Sequence, residues 1–558
     1  MHCTRVRAPL TWISLGLLVR WLPSLWVPFF SKDEGFWWAL GAALDRGGLL
    51  YQAGVDHKPP LFLGSYGLAV SLAGTHAMAL LHGVVLCCHV AVAISIHWLT
   101  RRGGNALAAR YATGTYLLLI IAFITQEVWA ANSEVFMLPW MMGAVMAYQR
   151  LTESAQWRWT IIIGLLIGIA AHFRQTALFL LPALLLHRWL TADRKGRILA
   201  EALLVAGSAL FIFGLHALYF WQRGTFPEFW FWNITMSHAY IGEPITLATA
   251  TWEFTWHTSV ILLAALPVWW LVAEAVWQSL ANRWSKNAVP VLLGDDAPPL
   301  GGGLAEPAAT MPLNLQRTSM SAAAARKPQT TRTPSEGRGI AAPATLEVCC
   351  LAAMSLAVCI GWRFSHHYYL HLFPFAALLC GVAVATRSAA GKTIAPFRPA
   401  LAALLLLLPA LGFTAEGYYR WYQQTQGGPR PGLRTVAHWL QAHAAPGDSL
   451  FIWGYYPDIY ADSGLPNASR YVETHFLTGQ LREATAPKIN QTNIQLWRWL
   501  LDDFVTHPPT WFIDTTMHKV SGRYMHPLTL YPELADYVRT HYELVDTIEQ
   551  VPIYRRHD

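Results

Sequence analysis

A group of ionisable residues near the N-terminus could support acid–base chemistry on an anionic substrate. Two adjacent carboxylates, Asp33 and Glu34, are followed by Asp56 and then by Lys58, which precedes Pro59-Pro60. A positioned carboxylate can accept the proton of a hydroxyl nucleophile, and a fixed cation can stabilise negative charge on a departing group. The structural alternative is that Asp33 and Glu34 cap a helix while Lys58 extends to lipid headgroups.

The composition indicates which elements must hold these residues. Of the 558 residues, 54% are hydrophobic and only 13% are charged, whereas soluble proteins carry about 25% charged residues. This excludes a soluble enzyme, a disordered chain and a fibrous repeat, and it indicates a protein that crosses the membrane several times. The net charge of +7 is better explained by topology than by nucleic acid binding, so no nucleic acid partner is expected. The seven cysteines show no zinc-binding spacing.

Apolar runs of about 20 residues predict membrane-spanning helices. We predict about eleven, with boundaries near 8–30, 75–99, 107–126, 134–150, 157–173, 175–190, 198–221, 254–281, 345–362, 367–386 and 399–416. Basic residues are enriched in alternate loops, and such loops face the cytoplasm. With the N-terminus inside, this pattern predicts an inner (plasma) membrane protein whose region after residue 416 is extracytoplasmic.

The chain divides into four regions by composition. We predict a transmembrane module over 1–284, which includes the first outside loop 31–74. Segment 285–344 is rich in Pro, Gly, Ala and Thr without periodicity, which is typical of a disordered cytoplasmic loop. Further spanning helices over 345–416 precede a small α/β domain over 417–558. Its predicted strands are 449–453 and 510–514, its predicted helices are 431–444, 456–462 and 494–504, and 469–472 is expected to be extended.

The predicted topology brings distant ionisable groups to one side of the membrane. A charge at the bilayer centre costs roughly 3 kcal/mol on insertion scales, so such groups cluster where water or a ligand reaches them. Acids and cations that converge on one face suit a reaction at the membrane surface. The residues predicted on the outer side are Asp33, Glu34, Asp56, Lys58, Glu134, Arg174, Arg363, His366 and His367.

The order of these motifs resembles the membrane-embedded GT-C glycosyltransferases, including the aminoarabinose transferases, the protein O-mannosyltransferases (glycosyltransferase family 39) and their bacterial Rgt-type relatives. Those enzymes carry Asp-Glu after the first span and Lys-Pro-Pro, or a close variant, before the next helices. Both occur here, and the resemblance covers roughly residues 8–416 in order. Its later parts are Glu127, Asn132-Ser133-Glu134, His172-Phe173-Arg174-Gln175, the aromatic segment 226–233 with His238, and 362–370 with Pro374.

The resemblance implies a polytopic α-helical GT-C fold and transfer of a sugar from a polyprenyl-phosphate lipid to a hydroxyl of a glycan, lipid or protein in the cell envelope. It implies that Asp33 is the base, and Glu34 is the rival because the sequence does not show which carboxylate faces the cleft. One base and direct displacement imply inversion at the anomeric carbon. Donor phosphate binding is assigned to Lys58, Arg174, Arg363 and His366, and substrate binding to Asp56, Glu134, His367 and Tyr368.

Several alternatives remain open at this point. Arg174, His366 and His367 stand where relatives vary, which leaves the membership of the phosphate site open. Neither a cofactor nor a metal is expected, although a divalent metal is left open. A transporter or flippase of envelope glycolipids would show charges near the midplane, paired broken helices and internal repeats. A non-catalytic scaffold for envelope assembly would not need Asp33 and Lys58 together.

Overall fold

Helices make up most of the computed structural model, which describes residues 7–102, 105–192, 195–288, 344–393, 399–425, 433–479, 494–517 and 526–557. The first half of the chain contains α1 Arg7–Trp21, α2 Lys32–Asp45, α3 Pro60–Ala73, α4 Ala77–Arg102, α5 Ala106–Ile121, α6 Thr125–Trp129, α7 Ser133–Ser154, α8 Trp157–Phe173, α9 Leu180–Thr191, α10 Ile198–Gln222, α11 Phe226–Trp230, α12 Ser237–Ile241, α13 Leu247–Ala264 and α14 Leu266–Ala288. Then follow α15 Thr345–Val358, α16 Phe373–Ala389, α17 Pro399–Thr425, α18 Arg434–His443, α19 Asp458–Ser463, α20 His475–Thr478, α21 Ile494–Thr506 and α22 Pro532–His541.

Each apolar run predicted to span the membrane overlaps at least one helix. The predicted span 254–281, however, is two helices, because α13 and α14 meet at a bend of 98°. Judged by length and apolar composition within the described residues, three continuous helical segments can cross a membrane, and the bent pair raises the number to four. The three segments are Pro60–Arg102, Lys195–Gln222 and His366–Ala389. The count of eleven therefore stays a prediction.

The first predicted span ends earlier than expected. Helix α1 stops at Trp21, and a short 3₁₀ turn at Leu22–Leu25 follows it. Pro23 lies inside that turn, and proline cannot supply the N–H that a continuing helix needs. The predicted disordered loop lies almost wholly outside the described residues, because α14 reaches Ala288 and the description resumes at residue 344.

The C-terminal region contains a four-stranded sheet with the order β1-β2-β4-β3. Its strands are β1 Leu450–Trp453, β2 Trp511–Asp514, β3 Tyr542–Ile548 and β4 Val551–Arg556. Strands β1 and β2 are parallel, with Leu450 opposite Trp511, and both were predicted as buried apolar runs. The hairpin of β3 and β4 was not predicted, and 469–472 forms bends rather than the expected extended segment.

This C-terminal unit contacts the beginning of the chain directly. The Val55 N–H donates to the Arg470 carbonyl at 3.2 Å, and the Asn467 amide donates to the Ala53 carbonyl at 3.3 Å. At Gly35 a Cβ atom would lie 2.6 Å from Oδ1 of Asp458. A larger residue at position 35 would displace the Asp458 side chain, and this contact packs α19 of the sheet unit against the helix that carries Asp33.

Candidate active site

The first turn of α2 separates its two carboxylates. Ser31 caps the helix, with its Oγ accepting from the Glu34 N–H at 3.4 Å. Asp33 is exposed, whereas Glu34 is completely buried. Successive residues of an α-helix point about 100° apart, so the helix directs one carboxylate outward and the other into the protein. The structure thus places Asp33, and not Glu34, where a substrate can reach it.

Glu34 has a full set of hydrogen-bond partners in the protein interior. Its Oε2 accepts from the Phe30 N–H at 2.6 Å, and its Oε1 accepts from the Ala131 N–H at 2.6 Å. The Nε2 atom of His82 lies 3.0 Å from the same Oε1. A carboxylate held in this way joins α2 to α4 and to the segment before α7, so its arrangement is that of a structural residue.

Asp56 and Lys58 lie close to Trp37 of α2. Trp37 follows Asp33 by one turn, and residues four apart share a helix face. The Trp37 indole N–H donates to Oδ2 of Asp56 at 2.8 Å, and the Lys58 ammonium lies 5.9 Å from the Trp37 ring centre. The indole therefore lies one helical turn after the exposed carboxylate and close to both Asp56 and the predicted phosphate-binding lysine.

Asp56 is buried and carries a negative charge at neutral pH. Burial by itself raises the pKa of its carboxyl group, but the charges of His57 and Lys58 and hydrogen bonds from His57 and Trp37 hold that pKa at about 2. The imidazole Nδ1 of His57 lies 2.8 Å from Oδ1 of Asp56, and the backbone N–H of His57 donates to the same oxygen at 2.6 Å. Asp56 therefore supplies a fixed counter-charge for Lys58.

Arg174 forms a buried ion pair with Glu134. One guanidinium nitrogen of Arg174 lies 2.8 Å from Oε1 of Glu134 and donates to Oγ of Ser133 at 3.2 Å. Burial tends to lower the pKa of Arg174, but the carboxylate of Glu134 outweighs this effect and raises it. The guanidinium also lies 4.4 Å from the ring centre of Tyr368. Lys58 is close enough to interact electrostatically with Glu134 and Tyr368.

Two tyrosines lie between two arginines. A hydrogen bond joins Tyr240 and Tyr368, which we call the tyrosine pair. Arg174 covers the ring of Tyr368, and Arg363 lies 3.6 Å from the ring centre of Tyr240. Arg363 also donates to Oε2 of Glu243 at 3.1 Å. Lys58, Arg174 and Arg363, which we call the cation cluster, thus surround one polar aromatic surface.

The two adjacent histidines have different surroundings. His367 joins the cluster, because its Nδ1 lies 2.8 Å from Oε2 of Glu127 and its Nε2 lies 3.6 Å from Oε1 of Glu134. His366 instead lies about 3.1 Å from Nδ1 of His257 on α13. The predicted phosphate contact of His366 thus has no support from this arrangement and stays a prediction.

The structure also shows residues that the sequence did not single out as site members. Tyr240 lies just after a π-helical turn, Phe231–Met236, which follows the aromatic segment noted in the sequence. Glu127 was noted as an acidic residue of the second outer loop but was given no role, and Glu243 was not noted. Among the described residues, no three His, Cys, Asp or Glu side chains form a group that could hold a metal ion.

A protein family and several solved structures are similar to this chain. A family model described as dolichyl-phosphate-mannose-protein mannosyltransferase matches residues 57–221, less than half of the chain. The structure is similar to ArnT from Cupriavidus metallidurans bound to undecaprenyl phosphate, with a TM-score of 0.58, 13% identity and coverage of 97% of this chain and 96% of ArnT. The apo state of the same ArnT gives a TM-score of 0.58 at 14% identity, covering 99% of this chain and 98% of ArnT. No curated protein matches the sequence.

The class of fold is therefore settled. The chain has the GT-C fold that the first-loop motifs predicted, and the similarity to ArnT extends over nearly the whole of both chains. The matched family segment begins one residue before Lys58 and includes Glu134 and Arg174. At this level of identity the similarity to ArnT defines the architecture, and the chemistry must be argued from the residues of this chain.

Proposed function

We propose that this protein is a membrane glycosyltransferase that moves a sugar from a polyprenyl-phosphate lipid to an acceptor hydroxyl at the outer face of the membrane. The observation that carries the proposal is the exposure of Asp33 one helical turn before Trp37, whose ring lies near the Lys58 ammonium. Two comparisons support it. The similar ArnT structure contains undecaprenyl phosphate, and the matching family is described by its dolichyl-phosphate-mannose donor.

In the proposed reaction the acceptor oxygen attacks the anomeric carbon while Asp33 takes the hydroxyl proton. The bond between that carbon and the phosphate oxygen breaks, and the lipid phosphate leaves with the bonding electrons. A base within hydrogen-bond reach contributes about 10²–10⁴-fold to such a step. Direct displacement by one nucleophile inverts the configuration at the anomeric carbon.

The cation cluster would stabilise the phosphate as its charge develops. Arginine can bind two phosphate oxygens at once, and lysine acts as a point charge. Glu134 and Asp56 hold Arg174 and Lys58 in place before substrate binds. Such preorganised charges are effective because they need not reorient during the reaction. His367 and Tyr368 would contact the sugar or the phosphate from the same surface.

Removing the ammonium group of Lys58 tests its role in phosphate binding. For Lys58→Ala we expect donor affinity to fall about tenfold or more, since a hydrogen bond to a charged group contributes about 1.5–3 kcal/mol. Turnover should fall as well, because the phosphate is charged in both the ground state and the transition state. Binding of a labelled polyprenyl phosphate to purified protein measures the first effect.

The matched control is Lys195→Ala. Lys195 also lies near a tryptophan ring, 4.6 Å from the centre of Trp189, but it precedes α10 on the predicted cytoplasmic side. The Lys195→Ala protein should therefore bind the donor with the affinity of the wild type. Equal donor affinity in Lys58→Ala and Lys195→Ala would show that Lys58 does not bind the donor phosphate.

The proposal includes a topology with about eleven spans, residence in the inner membrane and an extracytoplasmic α/β domain over 417–558. A reporter fused after Asp558 should then be active only if it functions outside the cytoplasm, because the basic residues favour that orientation. Fusions to alkaline phosphatase and to a cytoplasm-dependent fluorescent protein measure this. Strong fluorescence without phosphatase activity would contradict the topology.

A transporter remains the second candidate because of the bent pair α13 and α14. Transporters commonly use broken helices in paired positions at the bilayer midplane. Within the described residues only this one pair is bent in this manner, and the cation cluster lies near helix ends. Profiling of glycolipids and glycans in native membranes with and without the protein separates the candidates, because only a transferase adds a sugar to an acceptor.

A further inference from the structure

A groove runs along one side of the helical bundle, away from the candidate active site. It has a volume of about 640 Å³ and lies between α1, α4 and α5. Its floor contains the buried residues Leu17, Ala93 and Leu117, and its rim contains the exposed residues Val90 and Ile94. The lining is almost entirely apolar along most of its length, so this part of the groove suits a hydrocarbon chain.

One end of the groove is basic. Trp98, Arg101 and Arg102 line it there. Arg102 forms a two-bonded ion pair with Glu153, at 3.1 and 2.6 Å, and its guanidinium lies 4.8 Å from the Trp98 ring centre. Arg101 is exposed, and in the part of the chain that the structure describes no carboxylate lies within ion-pairing distance of it. An anion at this end of the groove could therefore bind Arg101.

The basic end lies far from the candidate active site. Glu34, next to Asp33, contacts His82 near the start of α4, whereas Arg101 is 19 residues further along the same helix. At about 1.5 Å per residue this separation is about 28 Å, close to the roughly 30 Å thickness of a bilayer's hydrocarbon core. An anion at Arg101 would therefore belong to the opposite leaflet from a donor phosphate at Lys58.

We propose that this groove binds an anionic phospholipid of the cytoplasmic leaflet. Its phosphate would lie at Arg101 beside Trp98, and one acyl chain would follow α4 toward Leu86, about 22 Å away. Basic pockets between membrane helices on the cytoplasmic side favour such headgroups, and each basic residue near the surface contributes about 1 kcal/mol. This proposal requires that the helices lie in a membrane, and it does not require that the protein transfers a sugar.

The test uses purified full-length protein in phosphatidylcholine vesicles that contain a trace of phosphatidylglycerol with a photoreactive acyl chain. After illumination, the crosslinked peptides should come from α1, α4 and α5. Unlabelled phosphatidylglycerol should suppress the crosslinks, and additional phosphatidylcholine should not. For Arg101→Gln, the phosphatidylglycerol concentration that halves labelling should rise about fivefold.

Two further variants sharpen the test. Arg158→Gln is the control, because Arg158 is an exposed arginine on the same predicted side and does not line the groove; its labelling should equal that of the wild type. Ala93→Phe should fill the floor of the groove and lower labelling. If that variant does not fold, the comparison of Arg101→Gln with the wild type still tests the proposed site. Equal competition by phosphatidylcholine, or equal behaviour of Arg101→Gln and Arg158→Gln, would overturn the proposal.

The remaining outcome identifies another occupant. If polyprenyl phosphate displaces the label and phosphatidylglycerol does not, the groove holds the tail of the sugar donor and the phospholipid proposal is wrong. Because labelling needs no transfer reaction, the phospholipid site can be found even if the protein transfers no sugar. Conversely, a failed lipid test would leave the proposed transfer reaction untouched.

Discussion

Asp33→Asn is expected to lower sugar transfer about 100-fold or more, because the amide cannot accept the acceptor's proton. The substitution keeps the size of the side chain, and Asp33 is exposed in the first turn of α2. The helix loses a favourable charge near its N-terminus, which contributes only about 0.3–1 kcal/mol. Donor binding and the thermal unfolding midpoint should therefore stay close to the wild type, and initial rates with saturating donor measure the effect.

Glu34→Gln is the matched control, and it should affect stability more than sugar transfer. The buried carboxylate accepts from the N–H groups of Phe30 and Ala131. A glutamine presents an N–H₂ group toward one of these donors, and a buried unsatisfied group costs about 1–3 kcal/mol. We expect a lower unfolding midpoint and a smaller loss of transfer by the folded fraction than in Asp33→Asn. Loss of transfer in a stable Glu34→Gln protein, with an active Asp33→Asn protein, would assign the base to Glu34.

Arg174→Met is expected to have the largest effect on stability. It removes the cation from the buried carboxylate of Glu134, and breaking a buried ion pair from one side costs about 3–5 kcal/mol. The midpoint of thermal unfolding in detergent should fall, and donor binding should weaken because the cation cluster loses a member. Adding Glu134→Gln should recover part of the stability without restoring donor binding.

Arg188→Met is the comparison for this prediction. Arg188 forms an ion pair of similar length with Glu201, at 2.9 Å, but its side chain is more exposed. Because the Arg188–Glu201 pair keeps more contact with water than the Arg174–Glu134 pair, we expect its loss to lower the unfolding midpoint less. If Arg174→Met and Arg188→Met lower the unfolding midpoint equally, the greater burial of the Arg174–Glu134 pair does not determine its contribution to stability.

Much of the architecture could be predicted because long apolar runs produce buried or membrane-facing helices whatever their partners. The same argument identified β1 and β2, which are short apolar runs ending near Gly454 and Thr515. It could not reveal the bend between α13 and α14, because hydrophobicity is continuous there. The signal is Pro267, which lacks the N–H that an unbroken helix would need and is tolerated in the first turn of a new helix.

The candidate site could be predicted only in part. The positive-inside pattern placed the ionisable residues on one side, and the structure brings Lys58, Glu134, Arg174 and His367 together. The choice between the adjacent carboxylates depends on tertiary partners far along the chain, such as Ala131, which no local pattern reveals. The role of Tyr240 likewise depends on contacts with residues more than a hundred positions away.

The central claim is that the chain separates a sugar from its lipid phosphate, and a donor labelled on both parts tests it most directly. Purified protein in proteoliposomes would receive a polyprenyl-phosphate sugar with distinct labels on the sugar and on the lipid, together with a membrane extract as the acceptor source. We expect the labels to separate in equal amounts, as glycosylated acceptor and free polyprenyl phosphate, and Asp33→Asn to slow this separation about 100-fold. If both labels stay on one molecule in the presence of folded protein, whether or not that molecule crosses the bilayer, the chain is not a transferase of this donor.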